Sequence, residues 1–138
     1  PIKWTSKLQH EQSLSTTESE YIALAQALWE LIPMRCAFED MLKAFDLLQD
    51  YPITVKSTIF EDNNGAISIA TTPKTSVRTK HIGVKYHFVK DLFGKKRNPD
   101  HHPFALKKID TALQKADIFT KGLNEEAFLR IRKLLCGY

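Results

Sequence analysis

Two aspartates stand where folded chains concentrate chemistry. Asp62 follows a short run rich in β-branched residues, inside Glu61-Asp62-Asn63-Asn64-Gly65, and Asp117 falls where a late helix is expected to open. Carboxylates gathered at strand ends and helix starts suit hard, oxygen-seeking cations. Mg²⁺ is the foremost of these, because it keeps several waters and binds substrate phosphates beside its protein ligands. The same positions have a plainer use: an aspartate in a helix's first turn complements the dipole, and one after a strand is a common turn former. His101 and His102 are neighbours in a loop, with no further ligand at usable spacing, and read as a solvated turn. Cys36 and Cys136 show neither metal spacing nor a disulfide framework, so they read as reduced, intracellular thiols.

The elements that would position these groups follow from the pattern. Residues 2–7 alternate apolar and polar side chains and predict a short strand. Ser15 with Glu18 three residues on forms a capping box, and Tyr21, Leu24, Leu28 and Leu31 then recur at helical spacing. Pro33 predicts a kink or two abutting helices, with the apolar pattern resuming through Leu48. A strand is expected over 53–60, a small helix over 66–70, a basic amphipathic helix over 80–93 and a strand over 104–109. A helix over 115–121 is expected to end at Gly122, and Asn124 to cap a last helix over 125–135. Strands separated by helices imply parallel neighbours covered by those helices, with ligands beyond the carboxyl ends of the strands. Asp62 and Asp117 then face one crevice.

With 138 residues and 43% hydrophobic composition the chain fits one domain with one core. The 26% charged residues and the lack of any long apolar stretch exclude a membrane span. The net charge of +4 conceals a division: residues 1–73 carry five Lys/Arg against ten Asp/Glu, whereas residues 74–97 carry eight against Asp91 alone. That asymmetry suits an acidic site working beside a phosphate backbone held by a basic patch; a solvated helix face explains the basic segment equally well.

Five blocks in order carry a resemblance. They are Trp4-Thr5-Ser6-Lys7-Leu8-Gln9; Leu14-Ser15-Thr16-Thr17-Glu18-Ser19-Glu20-Tyr21-Ile22-Ala23-Leu24; Glu61-Asp62-Asn63-Asn64-Gly65-Ala66-Ile67; Arg78-Thr79-Lys80-His81-Ile82 through Tyr86-His87-Phe88; and Ala116-Asp117-Ile118-Phe119-Thr120-Lys121-Gly122-Leu123. Together they resemble the ribonuclease H domain of copia-type LTR-retrotransposon Pol polyproteins. The resemblance implies an α/β fold, the ribonuclease H-like mixed sheet flanked by helices. It places the Trp-x-Ser-Lys block on the third strand, with two earlier strands and the first metal-binding aspartate upstream and not in this chain. Residues 1–138 are thus expected to form a ribonuclease H-like domain incomplete at its N-terminus.

The implied chemistry is two-metal hydrolysis of the RNA strand of an RNA-DNA hybrid, with two Mg²⁺ or Mn²⁺ ions. Carried over by position, the metal-binding, catalytic carboxylates are Glu20, Asp62 and Asp117. Glu18 keeps the capping role; were Thr17 and Glu20 to form the box, Glu18 would be the ligand instead. Glu61 is expected to point away, since neighbouring residues of a strand face opposite sides. Thr16 and Thr17 are candidates for nucleic-acid contacts at the helix start, and Arg78, Lys80 and Lys85 for phosphate. His81 is read as packing or hydrogen bonding at a helix start, within reach of a phosphate. The histidine that many ribonucleases H carry before the last acid is missing from Asp110-Thr111-Ala112-Leu113-Gln114. With three of four carboxylates, the chain alone is expected not to cleave.

The reverse transcriptase domain of the same polyprotein is the implied protein partner, in the cytoplasm within a virus-like particle or in the nucleus. The competing expectation is a non-catalytic nucleic-acid-binding or interaction module of a decayed retroelement. A helix-turn-helix reader in the C-terminal region has only Gly122, Arg130, Arg132 and Lys133 in its favour.

Overall fold

The computed structural model describes residues 1–45, 55–72, 82–94 and 103–138. Ser15 caps the long helix α1 (Thr16–Ala44) as the sequence predicts: its side chain accepts the Glu18 N–H at 3.2 Å, and the Glu18 carboxylate reaches back to the Leu14 N–H at 2.8 Å. The alternative box on Thr17 and Glu20 does not form. Pro33 lies within α1, which stays one helix across it.

Strand β1 (Ser57–Glu61) leads through Asp62 into helix α2 (Asn64–Thr71), capped by Asn63, whose side chain accepts the N–H groups of Gly65 and Ala66. A 3₁₀ turn (Val84–Tyr86) and the short helix α3 (Phe88–Phe93) return the chain to strand β2 (Phe104–Lys108). The strands are parallel, in register from Ser57 opposite Phe104 to Glu61 opposite Lys108. A helical crossover between parallel strands was the topology expected, and it sets both carboxyl ends on one side. After β2 come 3₁₀ turns at Thr111–Leu113 and Lys115–Phe119, then helix α4 (Glu125–Cys136). Asn124 caps α4, accepting the Ala127 N–H at 2.9 Å.

The core gathers one stripe of α1 (Tyr21, Leu24, Ala25, Leu28), the small residues Ala66 and Ala70 of α2, and Ile82, Tyr86 and Val89. Tyr21 donates its hydroxyl to the Tyr86 carbonyl at 3.0 Å inside that core. Burial, with the charge of Asp91, pushes its phenol up to about 12. At the far end of α1, Arg35 donates to the Val55 carbonyl and lies 5.4 Å from the centre of the Phe104 ring. Helix α1 therefore runs antiparallel to β1, its N-terminus beside the strand's carboxyl end.

Four expectations are corrected. Residues 2–7 form no strand: nothing among the described residues pairs with them, and the sheet consists of β1 and β2. The segment lies across the surface instead, through Lys3 to Glu30 at 3.0 Å, the Ser6 hydroxyl on the Phe119 carbonyl at 2.6 Å, and Trp4 stacked on Phe119. Among the described residues the sheet is the parallel pair of β1 and β2, within a mixed α/β structure. The helix over 80–93 is broken where described, because Gly83 is extended and α3 starts only at Phe88. The helix over 115–121 is a 3₁₀ turn, and Gly122 is not its left-handed cap; among the described glycines only Gly137, ending α4, has positive φ. A five-residue 3₁₀ turn before α4 also leaves the helix-turn-helix reading without its first helix. No helix among the described residues is long and apolar enough to cross a membrane.

Candidate metal and nucleic-acid site

The acidic site is assembled by one close approach. Thr17, in the first turn of α1, presses on Gly65 at the start of α2 and touches Asn63, hydroxyl to side-chain oxygen, at 3.5 Å. Asp62 is the residue before Asn63. Glu20 lies three residues after Thr17 and so on the same face of α1, which brings it to the same corner.

The electrostatics register that convergence. Burial pushes the Glu20 carboxyl above its usual range; the negative charge of Asp62 adds to this, Lys121 opposes it, and Asp117 adds further. Glu20 therefore lies within the fields of both Asp62, just past the carboxyl end of β1, and Asp117. Asp117 is buried, and the Lys121 ammonium lies 2.9 Å from each of its carboxylate oxygens. Those contacts hold Lys121 above the ordinary lysine range, first through the hydrogen bond to Asp117 and then through the charges of Asp117, Asp62 and Glu20.

Glu61 does not point away. It is only 5% exposed, and its carboxylate accepts the Asn63 N–H at 2.9 Å. Burial raises its carboxyl, the Asn63 bond opposes this, and the charges of Glu20 and Asp62 raise it further. Strand alternation fixes only where Cβ points; at the last strand position a long side chain curls back to the following backbone. Lys108, opposite Glu61 in the register, donates to the Asp62 carbonyl.

The donors fit a hard divalent ion in kind: every group is a carboxylate, and their mutual repulsion asks for a cation. Among the described residues, no three His, Cys, Asp or Glu side chains converge tightly enough to hold one ion unaided. Mg²⁺ does not require that, since it is commonly held by one or two carboxylates, with waters and substrate phosphates completing its shell.

Thr16 is exposed at the helix start, whereas Thr17 is engaged with Asn63 and Gly65. Lys85 is exposed, pairs with Glu11 and lies 5.0 Å from the centre of the Tyr86 ring. Arg78, Lys80, His81, His101 and His102 lie outside the described residues. Lys121 and Glu61 are the participants that sequence reasoning passed over. For Lys121 the signal was present, because an acid and a lysine four residues apart in Asp117-Ile118-Phe119-Thr120-Lys121 are spaced to pair.

The chain is 33% identical over 135 residues to the retrovirus-related Pol polyprotein from transposon TNT 1-94 of Nicotiana tabacum, a match covering 97% of this chain. It is related to retrotransposon Pol polyproteins. Two from Arabidopsis thaliana match similarly, transposon RE2 at 30% and RE1 at 31% identity, each over 93% of this chain. The chain spans only 9% of the tobacco polyprotein and 8% of each Arabidopsis one. No family model and no solved structure matches it. Homology thus supports a retroelement-derived segment, and the acidic corner is the part of it with evident chemistry.

Proposed function

We propose that this segment of a retrotransposon Pol polyprotein is a ribonuclease H-type nuclease domain acting on the RNA strand of RNA-DNA hybrids, with Mg²⁺ or Mn²⁺ held by Glu20, Asp62 and Asp117. The observation that carries the proposal is the close approach of Thr17 on α1 to Gly65 and Asn63, which brings Glu20 to the corner of Asp62; burial first, and then the charges of Asp62 and Asp117, raise the Glu20 carboxyl. Divalent ions there would supply an activated water and stabilise the leaving oxygen. Asp62, on the short link between β1 and Asn63, is fixed by a capped helix start. Glu20 is fixed by the packing of α1 on α2, and Asp117 by its burial. The phosphate backbone of the duplex would be met by Lys85 and by Arg78, Lys80 and His81 from the same basic block, with Thr16 at the helix start.

The chain is proposed to bind hybrid and divalent ion at this acidic corner. The test is Mn²⁺ binding to the purified chain, followed by paramagnetic relaxation of water, with and without a non-cleavable hybrid. Expected is binding that the hybrid strengthens and that Asp62→Asn or Glu20→Gln weakens at least about tenfold, the cost typical of losing a ligand or its support. Binding indifferent to both substitutions would sink the metal-site reading. Mg²⁺-dependent cleavage of the hybrid, lost in Asp62→Asn, would support the nuclease reading directly.

A second reading has two observations behind it: Lys121 is already paired with Asp117, and no three-ligand group forms among the described residues. This is the non-catalytic nucleic-acid-binding module. Hybrid binding without any Mn²⁺ binding would favour it.

A further inference from the structure

Lys121 is placed unusually for a lysine that only decorates a surface. Its ammonium sits 2.9 Å from both oxygens of Asp117, a carboxylate whose side chain is only 10% exposed, while the lysine's own side chain is 47% exposed. It is near enough to Glu20 to offset part of the repulsion that Asp62 and Asp117 impose there. The ammonium thus contacts Asp117 of the 3₁₀ turn at Lys115–Phe119 directly and lies in the fields of Asp62 and Glu20. The ammonium contacts both carboxylate oxygens of Asp117, so a cation bound by that carboxylate would have to compete with it.

We propose that Lys121 is a tethered counter-cation that occupies the metal's place on Asp117 and must be displaced for a divalent ion to bind. This rests on the metal-site reading above and adds a positioning residue that sets metal affinity. While the ammonium is in place, Asp117 is held in one orientation and the buried negative charge is balanced, so the site persists without metal. When a divalent ion arrives, its two charges take over the neutralising role, and Lys121 swings out on its flexible, half-exposed stem. A phosphate brought by the duplex is then a natural new partner for the released ammonium. The consequence is a site with weak intrinsic metal affinity that fills best in the presence of nucleic acid.

The plainer alternative is a local surface ion pair between residues four apart, which stabilises the turn and has no bearing on metal. The two readings predict opposite signs. If Lys121 competes, its removal tightens metal binding; if it merely supports Asp117, its removal leaves binding unchanged or weaker.

The experiment is Mn²⁺ titration of the full chain by relaxation enhancement, comparing the native chain with Lys121→Met, Lys121→Gln and Lys121→Arg, each alone and combined with Asp62→Asn. Lys121→Met and Lys121→Gln are expected to bind Mn²⁺ about fivefold more tightly, the upper range for a partly exposed ion pair, and Lys121→Arg to bind like the native chain. Lys121→Gln keeps a polar group for Asp117 should the methionine variant fold poorly. Without metal, the neutral variants should melt lower, and saturating Mn²⁺ should restore them. Unchanged or weaker Mn²⁺ binding in both neutral variants, with Asp62→Asn still weakening it, would overturn this inference and leave the metal site standing. Binding insensitive to Asp62→Asn in every background would overturn the metal site and this inference with it.

Discussion

Thr17 and Gly65 meet so closely that a Cβ on Gly65 would fall 2.7 Å from the Thr17 methyl carbon and 2.8 Å from its hydroxyl oxygen. Thr17 is β-branched and held on a helix, so it has little freedom to give way. Gly65→Ala therefore forces α2 away from α1. Overpacking of this kind costs about 1–3 kcal/mol, against a gain of up to about 1 kcal/mol for alanine over glycine in a helix. A net loss of roughly 1 kcal/mol is expected in urea unfolding. Adding Thr17→Ala should recover most of it, and a double-mutant cycle that comes out additive would refute the steric account. Gly122→Ala, where nothing lies within 4 Å, is the neutral control.

The buried bond from Tyr21 to the Tyr86 carbonyl ties α1 to the turn preceding α3. Tyr21→Phe leaves that carbonyl without its partner and should cost about 1–3 kcal/mol. The pH dependence has a definite sign. With its phenol raised from 10.0 to about 12, Tyr21 binds its proton more tightly when folded, so its contribution is full below pH 10 and is lost as pH rises from 10 through 12. Stability of the native chain should fall across that window more steeply than that of Tyr21→Phe. Parallel curves would show that the tyrosine does not titrate as described.

The Glu20 carboxyl is raised by burial, Asp62 and Asp117, so in metal-free buffer its ionised form works against folding. The sign follows from linkage: a raised group stabilises fully below its unfolded value of 4.5 and loses that contribution as pH climbs through the folded value. Glu20→Gln should thus raise the melting temperature at pH 7 without divalent ions and give no gain at pH 4. Millimolar Mg²⁺ should reverse the order at pH 7, the native chain gaining and the variant not. A variant equally or less stable at pH 7 without metal would show that repulsion in this corner is negligible.

How much of this was legible in the residues depended on how local the signal was. Ser15 with Glu18, and Asn124 before α4, act within one turn, and both caps form as read. The parallel pairing of β1 and β2 followed from helices lying between strands. What failed was non-local or marginal. Residues 2–7 carry the alternation of a strand, but alternation supplies no neighbour to pair with, and among the described residues none does. The stretches over 80–93 and 115–121 have helical spacing, yet Gly83 and the shortness of the second let turns win. Glu61 was misjudged because Cβ direction does not decide where a three-carbon stem ends. Asp62 could be placed past a strand end and Asp117 at the opening of a later element from topology, whereas Glu20 needed the resemblance to stand out from the acids around it.

Asn124→Ala removes the acceptor for the Ala127 N–H at the head of α4. Such N-cap losses cost typically about 1 kcal/mol. The helix packs through Ile131, its one buried residue, and neighbours the 3₁₀ turn that carries Asp117. Hydrogen exchange should accelerate in the first turn of α4, while the α1–α2 core keeps its protection. Global loss of protection would mean that α4 is part of the same cooperative unit.

The pair between Lys85 and Glu11 offers a sharper probe of the basic patch than removal of a lysine alone. The hydrogen bond to Lys85 holds Glu11 below the usual carboxylate range, and the same bond raises Lys85, so at neutral pH both are charged and mutually engaged. If Lys85 meets phosphate, a nucleic acid must compete with Glu11 for it. Glu11→Gln should then tighten hybrid binding at low salt, because the lysine is released and a negative charge leaves the approach path. Lys85→Ala should weaken binding and lower the slope of log affinity against log salt by about 0.9, the value for one phosphate contact on a B-form duplex. The double variant separates local from general electrostatics: the benefit of Glu11→Gln should vanish once Lys85 is gone. A benefit that survives would reflect net charge only, and an unchanged slope in Lys85→Ala would return this residue to an ordinary solvated face.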